Sequence, residues 1–280
     1  METALRGRTA EVRIDPQGPV VIIGEKINPT GQKKLAEALK EDNYGYIKKL
    51  AERQLEHGAH VLDINVGVPG LDEVTLLPKI AKRIASDFDV PLCLDSGNPE
   101  ALAAGLKEVP GKPLVNSVNG ENERLEAVLP LVKDYQAAVI GLTMDEQGIP
   151  NEPERRLAIA EKILNRAVQL GIPKQDVVID TLVLTVGADQ SAAKVTLRTI
   201  ELVREKLGVN ISLGASNVSF GLPDRQTINQ AFMALAIGAG ANCMITDPVK
   251  LAPTILACDL VLGRDPYGKR YIVSTRKRLA

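Results

Sequence analysis

Four apolar runs in this chain finish on a carboxylate or an amide. Leu92-Cys93-Leu94 ends at Asp95, Pro113-Leu114-Val115 at Asn116, and Val177-Val178-Ile179 at Asp180. The run from Val209 to Leu213 passes through the small residues Gly214-Ala215-Ser216 and then presents Asn217. Other strand-like runs end at Glu25 and Asn28, Asp63 and Asn65, Asn119, Thr143, and Asp247. Gathered together, such groups make a pocket rich in hydrogen-bond acceptors and amides and poor in cations. That suits a neutral heterocycle displaying N–H donors, because carboxylates and amides accept hydrogen bonds in fixed directions. It suits a phosphorylated substrate badly, since no glycine-rich anion nest accompanies it. Any single Asp or Asn after a strand is as well explained as a helix cap or turn former, and Asp247 before Pro248 and Asn65 before Val66-Gly67 fit that role. The coincidence of Asp95, Asn116, Asp180 and Asn217 favours a shared site.

Groups that attack substrates are scarce. The only histidines are His57, at a helix end, and His60, at the start of a strand and away from the expected rim. Neither suits a general base or metal ligand, and no metal site is expected. No strand carries an interior lysine, and Lys26 reads as solvated or paired. Cys93 shares a strand face with Asp95 and reads as a buried, inert thiol. The protein is expected to orient a substrate and leave the attack to another molecule.

To position these groups, the chain must deliver several strand ends to one place. Strands and helices alternate. The first strand reads Pro19 to Gly24, and later ones end at Asp63, Asp95, Asn116, Thr143, Asp180, Asn217 and Asp247. Helices are expected over 32–40, from Asn43 to Gly58, and over 73–86, 98–107 and 121–134. Another follows Asn151, whose pairing with Glu154 reads as a capping signal. Its apolar face is Leu157, Ala160, Ile163, Leu164, Ala167 and Val168. The last three span 190–207, 226–239 and 249–262. Near-continuous apolar strands imply a parallel sheet covered by helices. An open doubly wound sheet would show a glycine-rich phosphate turn, and no such motif occurs. The expected fold is a single-domain α/β (β/α)8 TIM barrel over 19–264, whose C-terminal rim collects the strand ends. Residues 1–18 read as an N-terminal extension and 265–280 as a basic, solvated C-terminal tail.

Composition narrows the partners. Lys plus Arg total 34 against 35 Asp plus Glu, and aromatics are 3% with no Trp, so nucleic acid is not expected. No apolar run reaches the roughly 20 residues of a bilayer span, and 1–20 do not read as a signal peptide. Three widely spaced cysteines form neither a disulfide framework nor a metal knuckle, so a reducing cytoplasm is the expected compartment.

Six motifs in order carry a family resemblance. They are Gly24-Glu25-Lys26-Ile27-Asn28, Leu62-Asp63-Ile64-Asn65-Val66-Gly67, Leu94-Asp95-Ser96, Val115-Asn116-Ser117, Gly141-Leu142-Thr143-Met144 and Ser216-Asn217-Val218-Ser219-Phe220-Gly221. Over about residues 20–262 the chain resembles the pterin-binding methyltetrahydrofolate:corrinoid protein methyltransferases, relatives of the folate module of cobalamin-dependent methionine synthase. The resemblance implies that Asp95, Asn116 and Asp180 hydrogen-bond the pyrimidine edge of the pterin, and that Asn217 sits near N5 as the catalytic amide. It implies that Glu25, Asp63 and Asn65 line or brace the site, and that Arg225 lies near the benzoyl-glutamate of the folate. Phe220 stands where some relatives carry a polar residue. Methyltetrahydrofolate or tetrahydrofolate would be the substrate, and the cobalamin would be carried by a partner. That partner would be a corrinoid iron–sulfur protein or a demethylase corrinoid subunit. Relatives are homodimers, so a homodimer is expected. Two alternatives remain: an enzyme like dihydropteroate synthase, and a non-catalytic folate-binding subunit. The first would show a different loop from Asn65-Val66-Gly67-Val68-Pro69-Gly70 and basic residues near the seventh strand.

Overall fold

The computed structural model describes residues 1–279. Eight parallel strands close into a barrel: β3 (Val21–Ile27), β4 (Val61–Ile64), β5 (Leu92–Asp95), β6 (Leu114–Asn119), β7 (Ala138–Leu142), β8 (Val177–Asp180), β9 (Ile211–Gly214) and β10 (Cys243–Thr246). They pair in chain order, and β10 closes the ring by pairing with both β9 and β3. The reason lies in the side chains. Successive strand residues point alternately into the barrel and out to the helices, and both environments are dry, so the strands are apolar almost throughout. Polar residues concentrate where each strand leaves the ring.

The outer layer comprises α1 (Lys33–Lys40), α2 (Tyr44–Glu56), α3 (Glu73–Asp87), α4 (Pro99–Glu108), α5 (Asn122–Asp134), α6 (Pro153–Gln169), α7 (Ala192–Lys206), α8 (Arg225–Ala239) and α9 (Pro248–Val261). Asn43, Asp72, Asn98 and Asp247 cap α2, α3, α4 and α9 by accepting hydrogen bonds from first-turn amides. Asp247 therefore has the structural role open to it in the sequence, and Asn28 likewise spends Oδ1 on the Thr30 amide. Helix α6 departs from expectation. It begins at Pro153 with Glu152 as its uncapped boundary residue, so Asn151 is not the cap. The fixed φ of proline suits the first helical position, which moves the start one residue on. On the same helix Val168 is 50% exposed, whereas Arg156 is fully buried.

The N-terminal extension folds as a hairpin. Strands β1 (Thr3–Arg6) and β2 (Glu11–Ile14) pair antiparallel, and Leu5 and Ile14 are fully buried. Both join the barrel-interior cluster of Val21, Ile23, Val61, Cys93, Leu114 and Ala138. Asn210, just before β9, donates to Thr3 Oγ1 at 2.7 Å and to the Ile14 carbonyl at 2.8 Å. The hairpin thus stoppers the N-terminal mouth of the barrel. The basic C-terminus also folds, into α10 (Lys269–Leu279) against α9, with Arg270 bonded to Asp259 at 2.9 Å. No helix among the described residues is long and apolar enough to cross a membrane.

Candidate active site

The C-terminal ends of the strands form one rim, and several of the polar residues expected there belong to three bonded groups around it. The first spans β4 to β6. Asn65 Nδ2 donates to Asp95 Oδ2 at 3.0 Å, while Asn65 Oδ1 accepts from the Gly67 amide at 2.8 Å. Asn116 Nδ2 donates to Asp63 Oδ1 at 3.3 Å. Both amides are thereby oriented: each spends an N–H on a carboxylate below or beside it, and Asn116 Oδ1 is left as an acceptor. Asp63 lies beneath the cup, at the level of Cys93, and is sealed from solvent.

The second group is built around Asp180, the last residue of β8. Its Oδ1 accepts from the Leu182 amide at 2.8 Å and its Oδ2 from Ser212 Oγ at 3.2 Å. Each oxygen retains a lone pair for a ligand. The third lies between β3 and β9. Glu25 Oε1 accepts from Ser216 Oγ at 3.1 Å, and Ser216 belongs to the 3-10 turn Ala215–Ser219 that carries Asn217. The Asn217 side chain is exposed at this edge and makes no hydrogen bond among the described residues.

Electrostatics follow from burial. Burial pushes the Asp95 and Asp180 carboxyls each up to about 6. Asp63 is pushed well above the usual carboxylate range, by burial first and by the neighbouring charge of Asp95 second. Glu25 is also raised by burial. Cys93 is fully buried in the barrel interior, and burial together with Asp63 drives its thiol up, away from the reactive thiolate. The hydroxyls of Thr143, Thr181 and Thr246, all at strand ends, are buried without a partner. Among the described residues no group of three or more His, Cys, Asp or Glu is placed to hold a metal ion.

Three arginines rivet the rim loops. Arg124 of α5 donates to the carbonyls of Ser96, Gly97 and Ser117, tying the loops after β5 and β6. Arg156 of α6 donates to the carbonyls of Pro150, Thr181 and Leu182, tying those after β7 and β8. Arg225 donates to the Ser216 carbonyl at 2.7 Å and to Ser219 Oγ at 3.0 Å, and its guanidinium stacks 5.8 Å from the Phe220 ring centroid. Arg225 thus pins the turn presenting Asn217. Gln54 of α2 performs a similar task for Glu25: its Oε1 accepts from the Lys26 amide at 2.8 Å. A Cβ at position 24 would lie 2.5 Å from that same oxygen, so a larger residue there would push the Gln54 amide off the Lys26 N–H. Sequence reasoning picked out Arg225 but missed Arg124, Arg156, Ser212 and Gln54. The signal for Arg156 was a cation on the inward face of an amphipathic helix.

Acceptors gathered at the strand ends, with the surrounding loops tied by arginines, suit a ligand whose edge donates N–H groups. A family model for pterin-binding enzymes matches residues 24–247. The chain belongs to the pterin-binding enzyme family. It is 34% identical to methionine synthase of Mycobacterium tuberculosis over 247 residues, 84% of this chain but 21% of that protein. It spans about a fifth of the methionine synthases it matches. It is 30% identical to the methylcorrinoid:tetrahydrofolate methyltransferase of Eubacterium limosum over 266 residues, 92% of this chain and 97% of that one. Among solved structures, the dihydropteroate synthase of Yersinia pestis superposes with a TM-score of 0.72 at 16% identity, covering 95% of this chain and 99% of that one. The Vibrio fischeri enzyme gives 0.70 at 17%, covering 94% and 100%. These two share the fold.

Proposed function

We propose that this pterin-binding enzyme transfers the N5-methyl group of methyltetrahydrofolate to Co(I) of a corrinoid carried by a separate protein, or runs the same step in reverse. The observation that carries the reading is the cup itself. In this reading Asp95, Asn116 and Asp180, at the rim ends of β5, β6 and β8, turn their remaining acceptors to one ligand, with the unbonded Asn217 amide beyond β9 at its edge. The two carboxylates take paired N–H donors from the pyrimidine edge, and Asn116 Oδ1 takes a third. That grip holds the ring flat with N5 toward β9.

The chemistry asked of the protein is modest. The N5–CH3 bond breaks, the methyl carbon bonds to cobalt using the Co(I) electron pair, and N5 keeps the C–N pair and gains a proton from solvent. A methyl on a tertiary amine leaves poorly unless charge developing at N5 is stabilised. Asn217 donates a hydrogen bond there that tightens in the transition state, and such differential stabilisation raises the rate. The corrinoid supplies the nucleophile, and the Cys93 thiol beneath the cup is buried and unactivated. The partner would be a corrinoid iron–sulfur protein or a demethylase corrinoid subunit, and the enzyme itself a homodimer.

Incubation with methyltetrahydrofolate and Co(I) cobalamin, followed by the visible spectrum, tests the reading. Methylcobalamin should form. Folate binding without methylcobalamin would instead indicate a binding subunit. Condensation of p-aminobenzoate with a pterin pyrophosphate would indicate the dihydropteroate synthase reaction.

A further inference from the structure

Asp63 is set apart from the other carboxylates of the cup. It is the third residue of β4, directed into the barrel one pleat below Asn65, and it is 2% exposed. The groups that face it are Glu25 from β3, Cys93 and Asp95 from β5, and Asn116 from β6. None is a cation. Asp95, one pleat above Cys93 on the neighbouring strand, is itself influenced by Glu73 of α3 and Arg124 of α5, and it must meet the ligand as an acceptor. An ionised Asp63 would be a buried charge with no counter-charge, next to a second carboxylate, which is a costly arrangement.

We propose that Asp63 is a positioning residue, held as a neutral acid under the cup, whose Oδ1 fixes the Asn116 amide with its oxygen toward the ligand. Of the two neighbouring carboxyls only Asp95, which meets the ligand, then bears a charge. The Asn116 amide is set with its N–H on Asp63 Oδ1 and its oxygen left for the ligand; turned over, it would show the ligand a donor where an acceptor is needed. This assignment rests on reading the cup as a reduced-pterin site. It makes Asp63 a residue acting through Asn116 rather than one touching substrate.

Binding of 5-methyltetrahydrofolate to the full chain by calorimetry, beside steady-state kinetics of methyl transfer, tests it. Asp63→Ala, which strands the Asn116 amide, should weaken binding about tenfold and raise KM while kcat stays within about threefold. Asp63→Asn offers the same oxygen to Asn116 without an acidic proton, so it should recover most of that loss. An Asp63→Asn protein as impaired as Asp63→Ala, or an Asp63→Ala protein whose loss falls on kcat with KM unchanged, would overturn the assignment. Wild-type protein that fails to bind the folate at all would overturn the pterin reading itself, a distinct outcome.

Discussion

Acidification should dismantle the cup before it unfolds the protein. Asp95 and Asp180 sit on different strands and do not bond each other, and burial holds each near 6. If both must be ionised to accept N–H donors, the competent fraction is the product of two titrations. One pH unit above 6, about four-fifths of the molecules have both charges, whereas one unit below, roughly 1 in 120 does. Folate affinity should therefore fall about 100-fold between pH 7 and pH 5, with a limiting slope near two decades per unit. The sign follows from the direction of both shifts: a raised carboxyl takes its proton early as pH falls, and the protonated form is a poorer acceptor. Calorimetric titration of methyltetrahydrofolate across this range, beside Asp95→Asn and Asp180→Asn, is the assay. Each single variant should weaken binding at neutral pH and reduce the limiting slope to about one decade. A flat profile, or an unaltered slope in both variants, would refute the assignment of these residues to the pterin edge.

Other perturbations separate chemistry from architecture. Asn217→Ala should cost about 2–4 kcal/mol of transition-state stabilisation, read as loss of kcat in single-turnover methyl transfer, with folate affinity little changed. Asp180→Asn should abolish tight folate binding yet stabilise the empty protein at pH 7.5. A shift from 3.8 to about 6 corresponds to at most about 3 kcal/mol, and thermal unfolding should show that gain shrinking by about half at pH 5. Arg156→Ala strips the carbonyls of Pro150, Thr181 and Leu182 of their buried donor and should destabilise by about 3–5 kcal/mol in urea unfolding. Leu5→Ala should cost about 2–5 kcal/mol in the same experiment, as expected of a core residue and not of a loose extension.

The strands and their terminal residues were legible because a parallel barrel writes its plan locally. Apolar residues fill both faces, and the first polar residue marks the exit, as at Asp95 and Asp180. What escaped was set by contacts distant in sequence. In the hairpin only Leu5 and Ile14 are buried hydrophobics, set among charged neighbours such as Arg6 and Glu11, too few to register as a core segment. Arg156 looks like an interruption of an apolar stripe until the carbonyls of Thr181 and Leu182 are seen to converge on it. The dual role of Asn65 was equally hidden. It is a turn former through Gly67 and a partner of Asp95 through its other amide atom, and sequence offers these as rivals when the fold uses both.

With its lower mouth stoppered by the hairpin, this cylinder has a single doorway. A folate gripped at the upper rim and a cobalt centre reaching for its methyl would arrive by the same route, one above the other. The docked partner would then be a lid as well as a reactant. Exchange of spent folate would have to wait until that partner steps away, which ties the turnover of one substrate to the residence time of the other.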